Sequence, residues 1–329
     1  MAGATTKTER VQAALRGQSV DRAPVSAWWH DYEREWSAAG LAESTLEAFR
    51  KYDWDFIKVN PRYSYYAEDW GAVYQPYDDR LPQITEKPVQ SPGDLRKILP
   101  LDPTKGAWGE QLDALRLVAD GVAGQAPFIQ TVFSPLAVMS RLTGSVKYTQ
   151  RLMRESAGEL EAALGAIEVT LTAYVGECLE AGASGIFYAA VEWGSADNIS
   201  WEEYERFGKP YDLRVLAAAG AATLNVLHVC QQNNHVMRVL DYPVHAFNWD
   251  VGGLGNPTFA QVLAKTGKAV MGGVRTGTMR SGEYSDVIRE AGAAAADTNG
   301  ARFLKTPGCS IDPETPEANL FALTGAVRR

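Results

Sequence analysis

Eight short apolar runs, rich in β-branched and aromatic residues, recur along the chain with longer helical stretches between them. No other feature limits its fold as strongly. The runs cover residues 24–29, 56–60, 128–133, 185–189, 223–229, 245–249, 269–272 and 302–306. Ala-, Leu- and Glu-rich segments lie between them, chiefly 112–122, 158–181, 201–219, 285–296 and 316–327. Eight strand–helix units predict a closed parallel (β/α)8 TIM barrel rather than an open doubly wound sheet. No glycine-rich nucleotide fingerprint follows the first run, which weakens the Rossmann alternative. The 329 residues suffice for one such barrel with long loops. No Ser/Gly-rich tract or charge block divides them, so residues 1–329 are expected to form a single domain. Between the second and third strands, residues 69–85 alternate Tyr, Pro and Asp and predict a small hairpin over the barrel mouth.

In a barrel of this kind chemistry sits at the C-terminal ends of the strands, so a strand list becomes a site list. The strand ends offer His30, Asn60, Ser134, Glu192, His228, Cys230, Trp249, Asp250 and Cys309. His228-Val229-Cys230 is the sharpest of these, because side chains two apart on a strand share a face. If the strand persists, imidazole and thiolate both point into the mouth. Cys309 follows the last strand, and Gly308 lets the backbone turn sharply there. One His and two Cys make a recognised zinc set with a fourth position left for water or substrate. The bland alternative is that each Cys is a small buried apolar residue.

The other candidates divide less cleanly. Glu192 is read as a fourth metal ligand, a general acid/base or a rim charge, and Asp250 has similar status. His30 is either a core or surface histidine or a substrate group inside the mouth. Asn60 and Trp249 are placed as substrate-binding groups. Trp28, Trp29, Tyr63, Tyr65, Tyr66 and Trp70 either line a pocket for a flat ligand or pack the core. Cys178 is expected in the core, His235 in solvent, and His245 in a structural role at the opposite face.

Bulk properties close off other classes. The formal net charge of −8 argues against nucleic acid as a partner. No apolar run reaches the ~20 residues of a membrane helix, and residues 1–8 carry no apolar signal core. Three cysteines do not make a disulfide framework. A reducing cytoplasmic location is the expectation.

The segment Arg10-Val11-Gln12-Ala13-Ala14-Leu15-Arg16-Gly17, followed by Val20-Asp21-Arg22-Ala23-Pro24-Val25, resembles the N-terminal helix and first strand of the uroporphyrinogen decarboxylase superfamily. That superfamily also contains cobalamin-dependent methyltransferases. Asn198-Ile199-Ser200 through Lys209-Pro210-Tyr211 is similar to the family's segment after the fourth strand. Gly308-Cys309 with Pro313-Glu314-Thr315-Pro316-Glu317-Ala318-Asn319-Leu320 is similar to its C-terminal signature. The likeness covers nearly the whole chain.

The resemblance also discriminates between branches. True decarboxylases carry an Arg-rich loop after the first strand and an Asp after the second. Here the loop reads Trp29-His30-Asp31-Tyr32-Glu33-Arg34-Glu35-Trp36, and Asn60 stands at the Asp position. An acidic loop without arginine forks is a poor receptor for a polycarboxylate. The methyltransferase branch has His-x-Cys after the fifth strand and Cys after the eighth, matched by His228, Cys230 and Cys309. The resemblance therefore implies that these three are zinc ligands. Gln231 departs from the branch's usual Gly after the first Cys. The implied activity is methyl transfer between a corrinoid carried by a partner protein and a thiol or folate-like acceptor, with a homodimer compatible with the fold. A decarboxylase or lyase acting on a smaller acid is the alternative, and a non-catalytic corrinoid- or metal-binding barrel is a third.

Overall fold

The computed structural model describes residues 5–325. Seven parallel strands form one sheet: β1 (Ile57–Val59), β4 (Phe128–Phe133), β5 (Gly185–Ala189), β6 (Val226–His228), β7 (Ala246–Asn248), β8 (Ala269–Val274) and β9 (Phe303–Pro307). They are hydrogen-bonded in that order. β2 (Val73–Gln75) and β3 (Gln83–Glu86) pair antiparallel as the expected hairpin. Its connecting loop brings Leu81 to the wall of the barrel-mouth cavity.

The first expected strand, 24–29, is not a strand, although it occupies the strand's place. Pro24 O accepts from Lys305 N at 2.8 Å, and Ser26 N donates to Lys305 O at 3.3 Å. On its other side Val25 O accepts from Asp55 N at 2.8 Å. The segment thus joins β9 to the residues leading into β1 and closes the ring. It misses a regular ladder for two local reasons. Pro24 has no N–H to give. The Val25 N–H goes instead to the Asp55 carboxylate at 2.8 Å, which Arg10 and Arg22 also hold.

Period-two alternation sorts each strand into a lumen face and a helix face. Ile129, Phe187, Ala189, Val226, Ala246, Met271 and Leu304 share one buried cluster inside the barrel. Val11 and Leu15, on the helix Lys7–Arg16, join that cluster and stopper the N-terminal end. A second cluster, including Phe247 and Trp249, packs strands against the outer helices.

Most expected helices form. The stretch 201–219 splits into Trp201–Phe207 and Lys209–Ala218, because Pro210 supplies no amide to continue the first ladder. The last helix spans Glu317–Thr324, and the expected extension to Val327 lies outside the described residues. Residues 1–4 of the N-terminal stretch read for a signal also lie outside them. Contrary to the sequence reading, one helix, Ala157–Glu180, is long and apolar enough by length and composition to cross a membrane. Here it packs against β4 and β5, burying Leu160, Leu164, Leu171 and Val175.

Candidate metal centre

β6 ends at His228 with Val226 and His228 on the lumen face, and Cys230 follows two residues later. Cys309 arrives on the loop after β9. Its Sγ lies 3.9 Å from Cys230 Sγ and 3.6 Å from His228 Nε2, and all three donor atoms fall within 4.8 Å of one another. Sulfurs held at about 2.3 Å by a tetrahedral Zn²⁺ stand ~3.8 Å apart, and an imidazole nitrogen and a sulfur ~3.6 Å apart. The two separations from Cys309 match these, the third pair stays within 4.8 Å, and 3.9 Å is far beyond a disulfide bond. The three residues therefore fit a zinc ion, which they would hold with three protein ligands, and His228 and Cys309 border the cavity.

Three local devices build this arrangement. Gly308 acts by close approach and not by left-handed φ: a Cβ there would stand 2.7 Å from Asp250 Cα. Gln231, after Cys230, sits at φ +69, in the left-handed region where Gly is preferred. Asn248 accepts from His228 Nδ1 at 2.6 Å and donates through Nδ2 to Met271 O at 3.0 Å. The two amide donors going to carbonyls place the Asn248 oxygen toward the ring, so Nδ1 carries the proton and Nε2 is free to ligate.

The thiol pair shares its charge unevenly. The hydrogen bond from Cys230, aided by His228, holds Cys309 well below the ordinary thiol range despite burial. Cys309 in turn pushes Cys230 up, and burial adds to that.

A cavity of about 560 Å³ opens beside His228 and Cys309. Phe133, Phe187, Lys58 and Asn60 line it together with His228 and Cys309, and Tyr63 and Arg280 stand in its wall. Lys58 projects from β1 over the rings of Trp28 and Phe187, at 5.4 and 4.9 Å from their centroids. Burial pushes its ammonium down to about 7, against the fields of Cys309 and Glu35. Its Nζ donates to Asn60 Oδ1, while Asn60 Nδ2 is buried without a partner among the described residues.

Several anticipated groups stand elsewhere. His30 and Asn60 do line the cavity. Trp249 does not: it is fully buried outside the lumen, edge-on to Phe259, with Nε1 donating to Pro257 O at 3.0 Å. The reason is parity. Ala246 and Asn248 face inward, so Trp249 faces out. Glu192 is likewise turned from the lumen. Its Oε1 accepts from Ser140 Oγ at 2.6 Å and from Arg141 at 2.9 Å. Val191 lines the cavity, at φ +42, a strained conformation for a β-branched residue. Asp250 caps its own turn by accepting from Gly252 N at 2.9 Å, and burial raises its pKa. His235, expected in solvent, is buried and contacts Ile199 O at 3.2 Å. His245 accepts from Asn225 N at 2.8 Å, a structural contact. Cys178 is wholly buried, and burial raises its pKa.

Lys58, Asn248 and Glu35 were not anticipated. Two of them had a signal. A lysine inside the apolar run Ile57-Lys58-Val59 and an amide inside Phe247-Asn248-Trp249 are both out of place for strands buried on each face.

The family model described as uroporphyrinogen decarboxylase (URO-D) matches residues 6–329. Among curated proteins, the methylcobamide:CoM methyltransferase MtbA of Methanosarcina acetivorans is 21% identical over 337 residues, covering 96% of this chain and 95% of its own. The methylcobamide:CoM methyltransferase MtaA of Methanosarcina barkeri is 24% identical, with 98% and 97% covered. A methyltransferase structure from Methanosarcina mazei superposes with a TM-score of 0.84 at 23% identity, covering 97% of each chain. A B12-independent methionine synthase from a Shewanella species superposes with a TM-score of 0.61 at 11% identity, covering 87% and 84%.

Proposed function

Because the chain belongs to the uroporphyrinogen decarboxylase (URO-D) family, and because its barrel mouth gathers His228, Cys230 and Cys309 at zinc-ligand spacing, we propose that it is a zinc-dependent methyltransferase. It moves a methyl group between a corrinoid borne by a partner protein and a thiol or folate-like acceptor. The spacing of the three donor atoms carries this reading. The names of the methylcobamide:CoM methyltransferases support the corrinoid and the thiol, since those relatives align over nearly their full length.

His228, Cys230 and Cys309 would hold the zinc, and the ion would supply a positive charge that lowers the pKa of an incoming thiol. Two thiolates and a neutral imidazole would balance the ion's charge, which would keep an incoming sulfur nucleophilic. Asn248 keeps His228 in the ligating tautomer. Phe133 and Phe187 give the cavity an apolar wall that excludes water from the acceptor. With a thiol acceptor and a methylcorrinoid substrate, the sulfur–carbon bond would form as the cobalt–carbon bond breaks, and the electron pair of the broken bond would stay with the corrinoid. Glu192 lies beside this chemistry as a charge already engaged by Ser140 and Arg141.

Decarboxylation of a polycarboxylate calls for free cations in the cavity. Arg280 is instead paired with Asp312 and Glu314, which leaves Lys58.

Metal analysis tests the reading, alongside methyl transfer from free methylcobalamin to 2-mercaptoethanol followed by the corrinoid spectrum. About one zinc per chain in the parent and near none in Cys309→Ala is expected, with transfer lost in the variant. Zinc-free protein of full activity would overturn it.

A further inference from the structure

His30 and Glu35 form a carboxylate–histidine pair on the wall of the same cavity. His30 Nδ1 lies 2.8 Å from Glu35 Oε2. The Glu35 side chain is fully buried, on the short helical turn Arg34–Trp36. Its other oxygen, Oε1, is buried with no hydrogen-bond partner among the described residues. A carboxylate so placed accepts from Nδ1–H, which makes Nε2 the basic nitrogen of the ring. The ring stacks on Tyr32, with centroids 5.6 Å apart and planes within 8°. Nε2 has no protein partner among the described residues, and the ring borders the cavity that His228 and Cys309 also border.

Nothing in the metal centre uses this pair. Its form is that of an orienting carboxylate behind an imidazole base. The cavity also needs such a base. An acceptor thiol bound at the metal must lose a proton, and Glu192, the carboxylate expected for that task, is tied to Ser140 and Arg141.

We propose that His30, oriented by Glu35, is the proton acceptor for the acceptor thiol. The proposal rests on the reading of the cavity as a thiol-activating site. The S–H bond breaks, its electron pair stays on sulfur, and the proton passes to His30 Nε2. The neutral ring becomes an imidazolium beside the Glu35 carboxylate. The cavity thereby keeps constant net charge, because the new negative charge on sulfur is matched by the new positive charge on His30. In a poorly solvated site that balance is worth far more than in water. Glu35 is a positioning residue, acting only through His30. Besides His228 and Cys309, the other titratable groups lining the cavity are Lys58, Tyr32, Tyr63, Asp312 and Arg280, and Lys58 is the competing acceptor.

A proton inventory tests this without turnover. Zinc-loaded protein is titrated with 2-mercaptoethanol by calorimetry in two buffers of different ionisation heat. Protons released to buffer per thiol bound are compared for the parent, His30→Gln, Glu35→Gln and Lys58→Gln. The parent is expected to release well under one proton per thiol, and His30→Gln about one, with zinc content unchanged and affinity weaker by roughly tenfold. Glu35→Gln should release an intermediate number. Equal release from the parent and His30→Gln overturns the proposal. Release that rises in Lys58→Gln and not in His30→Gln transfers the role to Lys58 and equally overturns it. A zinc-loaded parent that binds no thiol overturns the thiol-activation reading itself, and is distinguished by the absence of any thiol-dependent heat.

Discussion

His228 donates from Nδ1 to the Asn248 side-chain oxygen at 2.6 Å, and the two residues stand directly opposite each other in the paired strands β6 and β7. Sheet register thus sets the tautomer of the histidine in the proposed metal site.

Asn248→Ala removes the group that holds His228 in its ligating form. The variant should bind the same one zinc with affinity lower by 10–100-fold, as is typical when such supporting groups are removed. Competition against a chromophoric chelator measures it. Affinity equal to the parent's would show that the ring is oriented by packing on Phe187 instead.

Gln231 occupies left-handed backbone at φ +69, where glycine carries no steric cost. Its side chain offers only a long contact to Asn198, at 3.5 Å. Gln231→Gly should keep the zinc site and raise stability by about 1 kcal/mol. Urea unfolding of zinc-loaded protein checks this, and a loss of stability counts against it.

Glu192 and Arg141 are both largely buried, at 10% and 16% side-chain exposure. Glu192→Ala leaves the guanidinium unmatched and should cost about 3–5 kcal/mol of stability. Zinc content should remain at one per chain. Loss of the metal with stability intact would instead return Glu192 to the ligand set.

Asp212 is buried and accepts from the hydroxyls of Tyr188, Tyr204 and Tyr242 at 2.7, 2.6 and 2.9 Å. Burial outweighs these bonds and raises its pKa from 3.8 to about 6. Between those values the folded chain binds more protons than the unfolded one. This group's contribution therefore falls as pH rises from about 4 to about 6 and is level above that. The stability difference between the parent and Asp212→Asn, followed by denaturant unfolding across that range, should shrink in step. A difference that does not vary with pH would contradict the assignment.

Much of the barrel was legible because burial on both faces leaves a long apolar mark. β4 and β5 fall where the apolar runs predict them, residue for residue. The segment at 24–29 reads as a strand by composition, but a strand is defined by where its amides bond, and Asp55 takes the amide of Val25. Trp249 was misplaced by one residue of parity. The rule that turned His228 and Cys230 to one face, applied to β7, turns Asn248 inward and Trp249 out.

By itself the sequence determined the strand–helix alternation, the His-x-Cys pair two residues apart and the later Cys309. These are local facts, carried by hydrophobic periodicity and side-chain identity. Tertiary structure decided the distances. Only closure of the ring brings Cys309 within 3.6 Å of His228 across 81 positions of chain. Only strand register sets Asn248 behind that histidine. Only packing tells an engaged carboxylate, Glu192, from one aimed at a cavity-wall imidazole, Glu35. Coordination and hydrogen bonding fall off within an ångström, and residues far apart in sequence acquire that precision only when the sheet joins them.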